Sequence, residues 1–250
     1  AYDPGPHKFE WAGGVALGAR MGTVGGAGMF SAWILQDMFC AKTVDAQLKL
    51  LADKTPIQGR KAVGCPKRNS PRFEFIEDGI GAVAHEVGHA LALPHDQRNS
   101  AEYIMGNGFR RMGGNYVPAR KTGTVRFSDE NCRILSRSPY LAESPDPTDR
   151  TQPVATVTVP KEIAVGATSL TITVRATDNK ALAGLVCFCS HGDSLKWGQA
   201  LTGKEAEVTQ TITFRPAKEG TLRIETTVID EAGNTRRADR KVVVKKAISD

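Results

Sequence analysis

Two regimes of hydrophobic patterning divide the chain. From about residue 155 onward, apolar and polar residues alternate in "ATVTV" (155–159), "SLTITVRAT" (169–177), "GLVCFC" (184–189), "VTQTITF" (208–214), "TLRIETTVID" (221–230) and "RKVVVKK" (240–246). A period of two predicts strands with one buried face. "DEAGNT", between the last two runs, has the composition of a turn. Six or seven short strands at regular spacing predict an all-β antiparallel sandwich over residues 154–248.

Before this region the pattern is mixed. "GGVALGA" (13–19) and "RFEFI" (72–76) read as strands. "GMFSAWILQDMF" (28–39) carries Phe30, Trp33, Ile34 and Met38 at helical spacing, and "VDAQLKLLADK" (44–54) places Val44, Leu48 and Leu51 on one side of a helix. A further helix is expected from about Asp78 to Ala92, then a Gly-rich coil from Met105 to Thr124. A short helix follows, capped by the Ser128 hydroxyl, with Asp129 and Glu130 in its first turn. Pro139, Pro145, Pro147 and Pro153 among Ser, Asp and Thr predict an extended linker over 138–153. The expected organisation is therefore an α+β domain over 1–137, the linker, and the sandwich.

Composition changes this picture little. A chain of 250 residues is comfortable for two domains, and 40% hydrophobic with 24% charged residues describes an ordinary globular protein. The net charge of +6 divides evenly between the two regions, without the clustered stripe that nucleic acid binding needs. No apolar run approaches the ~18 residues of a membrane span, and the N-terminus lacks a signal-peptide pattern. Five cysteines admit a Cys40–Cys65 bridge; Cys187 and Cys189 fall on one face of a strand and are expected to be buried thiols.

The densest chemistry lies in "HEVGHALALPHD", which holds three of the five histidines. On a helical wheel Ile80, Val83, Ala84, Val87 and Leu91 form one apolar stripe, the expected packing face. His85 and His89 fall about 140° and 180° from its centre, one turn apart on the opposite side. Two imidazoles at that spacing can reach one zinc ion, and Glu86 beside them can reach a water on it. Zinc would lower the pKa of that water towards about 7, and the glutamate would accept its proton. Pro94 should end the helix and let the turn present His95.

His85-Glu86-Val87-Gly88-His89-Ala90-Leu91-Ala92-Leu93-Pro94-His95 resembles the signature of the metzincin family of zinc peptidases. Asp96 after the third histidine is similar to the adamalysin branch, "YIMG" with Met105 looks like its methionine turn, and "RFSDENCRIL" (126–135) like its closing helix. The resemblance implies a zincin-like α+β catalytic domain. It implies zinc on His85, His89 and His95, with Glu86 as general base, Met105 as an apolar floor and Asp96 as a structural anchor. Arg110 and Arg111 fall where the family builds its specificity pocket, and "GGVALGA" where an edge strand would pair with an extended peptide. Ala92 departs from the family glycine, whose left-handed conformation costs other residues about 1 kcal/mol or more. This leaves Asp96, Glu102 and Glu130 as alternative third ligands. Residues 1–69 match the family only loosely.

The C-terminal pattern resembles the Ig-like or fibronectin-like modules appended to bacterial exported enzymes. It implies a secreted or cell-surface bacterial protein, with targeting to a surface or polysaccharide through that module. One catalytic Zn2+ is expected, and the pattern is compatible with a structural Ca2+ as well. The leading expectation is a zinc endopeptidase acting on protein or peptide substrates. Two alternatives remain: an idle zinc-binding scaffold whose module does the binding, and a zinc amidohydrolase of a non-protein amide.

Overall fold

The computed structural model describes residues 2–3, 8–9, 16–21, 25–60, 62, 69–118, 123–143, 146–190, 195–213, 216 and 218–246. The chain divides into two compact units, residues 1–127 and 128–250. Among the described residues no helix is long and apolar enough to cross a membrane.

The first unit is organised around one helix. After the short pair β1 (Tyr2–Asp3) and β2 (Lys8–Phe9) comes a hairpin of β3 (Ala16–Met21) and β4 (Gly25–Phe30), then α1 (Val44–Leu51) and α2 (Arg72–Ala90). Thr43 caps α1 by accepting the Ala46 N–H. At one end of α2, Phe75 and Ile76 join Trp33, Ile34, Phe39 and Leu51 in a core with edge-to-face ring contacts from Phe30 to Trp33 to Phe39. The hairpin lies across the other end through backbone. A Cβ on Gly18 would come 2.1 Å from the Glu86 carbonyl oxygen, and one on Gly26 would come 2.1 Å from that of Ala90.

Several local expectations give way here. The "RFEFI" alternation is the first turn and a half of α2, because Phe75 and Ile76 are adjacent core residues that only a helix buries together. Residues 28–39 are not one helix but the end of β4 followed by a 3-10 turn at Ala32–Leu35 that buries Trp33 and Ile34, with Phe30 in the strand and Met38 beyond the turn. The Gly-rich coil contains a 3-10 turn at Gly108–Arg111 and α3 (Gly113–Tyr116). Of "GGVALGA", residues 13–15 lie outside the described residues.

The apolar stripe of α2 packs as expected only at Ile80, which lies against the core of this unit. Val83 and Val87 are 41% and 44% exposed, whereas His85 and Glu86 are 7% and 9% exposed. The walls against α2 are glycine-lined backbone on one side and the Met105–Phe109 segment on the other, so a Cβ on Gly81 would come 1.9 Å from the Phe109 carbonyl oxygen. Hydropathy does not register a wall made of main chain.

The second unit opens with α4 (Asp129–Leu135), capped by Ser128 as expected and packed on the sheet of this unit. Strands β5 (Val154–Thr158), β7 (Ser169–Thr177) and β10 (Glu205–Thr213) form one antiparallel sheet in the order β10-β7-β5. The other has the order β6-β12-β11-β8-β9, from β6 (Glu162–Ala164), β8 (Leu182–Ser190), β9 (Leu195–Ala200), β11 (Gly220–Asp230) and β12 (Thr235–Lys245). Leu170, Ile172 and Val174 of the first sheet and Leu185, Leu222, Ile224 and Val242 of the second share one core. Leu170, Ile172 and Val174, and Leu222 and Ile224, are alternate residues of their strands, which is how the period-two pattern becomes a sandwich. The short strands β6 and β9 escaped the sequence reading. The proline-rich stretch is held against this unit, with Ser138 and Asp149 buried and Asp146 paired to Lys180 at 2.7 Å. Cys187 and Cys189 are buried free thiols; the Cys40–Cys65 pairing involves Cys65, outside the described residues.

Candidate metal centre

The site begins with the way α2 ends. Ala92 adopts φ 72°, the left-handed conformation. Its N–H donates to the His89 carbonyl at 2.9 Å, and the Leu93 N–H donates to the Gly88 carbonyl at 2.9 Å. These two bonds make a Schellman cap, with alanine in the position that usually holds glycine. The chain therefore reverses where the signature requires it, and His95 returns beside the helix.

Three imidazoles meet at that reversal. His95 Nε2 lies 3.0 Å from His89 Nε2 and 3.1 Å from His85 Nε2. The Nδ1 atoms of the helical pair point away: His85 Nδ1 is 2.7 Å from the Ile104 carbonyl oxygen, and His89 Nδ1 is 2.8 Å from that of Leu93. A carbonyl only accepts, so both Nδ1 atoms carry the proton and both Nε2 atoms present a lone pair. One proton on His95 Nε2 can serve only one of the two contacts it makes. A cation serves all three nitrogens. A tetrahedral zinc with Zn–N of about 2.0–2.1 Å places its ligand nitrogens about 3.3 Å apart, which fits this donor set, including its carbonyl-anchored rings. Burial holds His85 down at about 4, with the neighbouring His89, His95 and Arg110 charges adding to the effect and the Ile104 hydrogen bond opposing it.

Glu86 lies on the same helix between the two histidines. Burial raises its carboxyl above the ordinary glutamate range, against the pull of His89. It also borders a pocket of about 200 Å³ whose wall includes Gly28, Met29, Ala32, Leu35 and Val83.

The other residues singled out in the sequence occupy supporting positions. Met105 is fully buried, its sulfur 2.5 Å from where a Gly88 Cβ would stand, so Met105 packs under the turn between the two helical histidines. Its carbonyl accepts the Asp96 N–H at 2.9 Å. The buried Asp96 carboxylate accepts Arg98 Nε at 3.1 Å and Arg98 Nη2 at 3.0 Å, tying down the loop beside His95. Arg110 is paired with Asp78 at 2.8 Å and lies over the Phe109 ring, and Arg111 is exposed. Of the alternative ligands, Glu102 is paired with Arg126 at 2.6 Å, and Glu130 belongs to α4 of the second unit. Sequence reasoning missed the carbonyls of Ile104 and Leu93, the Arg98 anchor and the buried Glu77, which accepts the Gly113 N–H at 2.7 Å. Carbonyl anchors leave no mark in a sequence. Arg98, two residues after Asp96, could have been suggested by charge spacing.

No protein-family model matches the chain, and no curated protein matches it in sequence. Among solved structures, OgpA from Akkermansia muciniphila is similar at 16% identity and a TM-score of 0.52, over 68% of this chain and 51% of that one. A catalytically inactive OgpA in complex with an O-glycopeptide substrate, glycodrosocin, is similar at 14% identity and a TM-score of 0.52, over 68% of this chain and 50% of that one. The PKD domain of an M14-like peptidase from Thermoplasmatales archaeon SCGC AB-540-F20 shares 20% identity over 38% of this chain and 98% of that domain, at a TM-score of 0.31. The chain thus spans about half the length of OgpA and has its kind of fold, an α+β region followed by a β-sheet domain.

Proposed function

We propose that the chain is a zinc-dependent endopeptidase. One observation carries the reading: His95 Nε2 lies within 3.1 Å of the Nε2 atoms of both His85 and His89, which sit on the helix that also bears Glu86. His85, His89 and His95 would hold the ion, with Met105 packed beneath them and Asp96 fixing the approach of His95. A zinc ion bound there supplies Lewis-acid polarisation of a carbonyl and acidifies water.

The chain's own residues supply the rest. Glu86, a carboxylate whose proton affinity is raised by burial, accepts the proton of the attacking water at its side-chain oxygen and returns it to the departing amine. The β3–β4 hairpin sits beside Glu86 and His89 through Gly18, so an extended peptide can add to an edge of that sheet by main-chain hydrogen bonds. The pocket beside Glu86 suits an apolar side chain. With Arg110 committed to Asp78, acidic preference would fall to Arg111 alone. The O-glycopeptide bound by OgpA makes modified peptides a class worth including among test substrates. An exported setting, with surface or polysaccharide targeting through the sandwich, belongs to the same proposal and rests on the appended-module pattern.

The test combines metal analysis of the purified chain with digestion of peptide and O-glycopeptide libraries. Stoichiometric zinc, and cleavage abolished by chelation and by Glu86→Gln, are expected. Zinc retained without cleavage of any library would overturn the peptidase reading in favour of a binding scaffold.

A further inference from the structure

We propose that Asp149, Asp178 and Asp230 form a second metal site, in the β-sandwich unit, for a divalent cation of the calcium class. The proposal does not depend on the histidine centre.

The three residues come from separate segments. Asp149 precedes β5, Asp178 directly follows β7, and Asp230 ends β11, where the pairing with β8 shifts register between Ile229 and Asp230. Such an irregularity redirects a strand side chain. One carboxylate oxygen from each residue lies within 4.8 Å of the others. Asp149 is 6% exposed and Asp230 0%.

Their partners are neutral and do not use up the available oxygens. Asp149 accepts the Thr151 N–H at 3.1 Å and Asn179 Nδ2 at 3.3 Å. Asp230 accepts the Asn234 N–H at 2.7 Å and its Nδ2 at 2.8 Å. Asp178 Oδ1 accepts the N–H groups of Lys180 and Ala181 at 2.8 and 2.9 Å. Asp178 Oδ2 is buried and has no hydrogen-bond partner. A buried carboxylate oxygen without a donor is costly, and a bound cation is one of the few things that satisfies it.

Charge points the same way. Among the described residues none of the three carboxylates has an ion-pair partner. The neighbouring ammonium, Lys180, is engaged with Asp146 at 2.7 Å and Thr148 at 3.2 Å. Three like charges are therefore brought together, Asp149 and Asp230 buried and Asp178 partly exposed, with only amide donors around them. An all-oxygen, carboxylate-rich set selects a hard cation, and Ca2+ tolerates irregular buried geometry better than Mg2+, which keeps an octahedral water shell. Bound there, it would clamp the segment before β5 to the turns after β7 and β11.

The experiment uses the full chain, stripped with EDTA and titrated with Ca2+ and, in parallel, Mg2+ by calorimetry, together with thermal unfolding. Binding of about one Ca2+ per chain in the ~10⁻⁴–10⁻³ M range is expected, with a rise in unfolding midpoint at ~10 mM. Asp178→Asn keeps the Oδ1 bonds and should fold without metal, yet lose about tenfold or more in Ca2+ affinity. His89→Ala should bind Ca2+ unchanged, which separates this site from the histidine centre. Absence of both binding heat and midpoint shift in folded protein would overturn the proposal. So would equal Ca2+ affinity in Asp178→Asn.

Discussion

His85 Nδ1 lies 2.7 Å from the carbonyl oxygen of Ile104, the residue immediately before Met105. The buried Met105 segment and the first histidine of the helix are thus one mechanical unit. The turn positions a backbone acceptor, the acceptor sets the imidazole tautomer, and the tautomer aims Nε2 at the other two rings. Met105→Ala should open a cavity under Gly88 and cost about 2–5 kcal/mol, with weakened zinc affinity as the Ile104 carbonyl relaxes. Denaturant unfolding and zinc competition against a chromophoric chelator measure the two effects separately.

Ala92 holds a left-handed conformation that glycine adopts without penalty. Ala92→Gly should therefore stabilise the protein by about 1 kcal/mol, the relief of strain being partly offset by the greater freedom of glycine in the unfolded chain. Activity should not change. A lowered thermal midpoint for this variant would show that the turn is not strained.

Arg98 and Asp96 are unequal partners, because the carboxylate is buried and the guanidinium still reaches water. Arg98→Ala should cost the more, about 3–5 kcal/mol, since it leaves a buried charge without its counter-ion. Asp96→Asn should cost about 1 kcal/mol. Comparing the two by chemical denaturation checks the order.

In the metal-free protein the depressed His85 pKa links stability to pH. The folded state keeps His85 neutral down to about 4, while the unfolded chain protonates near 6.5. The unfolded state thus binds the extra proton first, so stability should be full above about pH 6.5 and fall progressively as pH drops towards about 4. Thermal midpoints of chelated protein across this window, with His85→Gln as the control lacking the slope, test the sign.

Gly18 meets α2 where no side chain fits. Gly18→Ala should push β3 away from Glu86 and His89, cost about 1–3 kcal/mol, and reduce turnover more than zinc content. Unchanged kinetics would mean that the hairpin does not form a wall of the active cleft.

The spacing of His85, Glu86 and His89 and the return of His95 could be read in the chain, because helical geometry converts residue offsets directly into angles; the stop itself falls earlier than Pro94, with α2 ending at Ala90 in the cap around left-handed Ala92. Apart from the short β6 and β9, the strands from Val154 to Lys245 were readable from the alternation of apolar and polar residues along them. The hairpin beside α2 was poorly readable, since Gly18, Gly26 and Gly28 contribute backbone rather than hydrophobic side chains to the contact. The exposure of Val83 and Val87 misled for the complementary reason: an apolar stripe marks a packing face only where other side chains pack on it.

Local order in the chain was enough to single out His85, Glu86, His89 and His95 and the period of the longer sandwich strands, because both depend on neighbours a few residues apart. Three-dimensional packing alone decided that Ile104 and Leu93 orient the imidazoles and that Asp149, Asp178 and Asp230 meet. Those contacts join main-chain carbonyls, which every residue has, or side chains up to 81 positions apart, as from Asp149 to Asp230. Nothing in the local pattern distinguishes them until the chain has closed on itself.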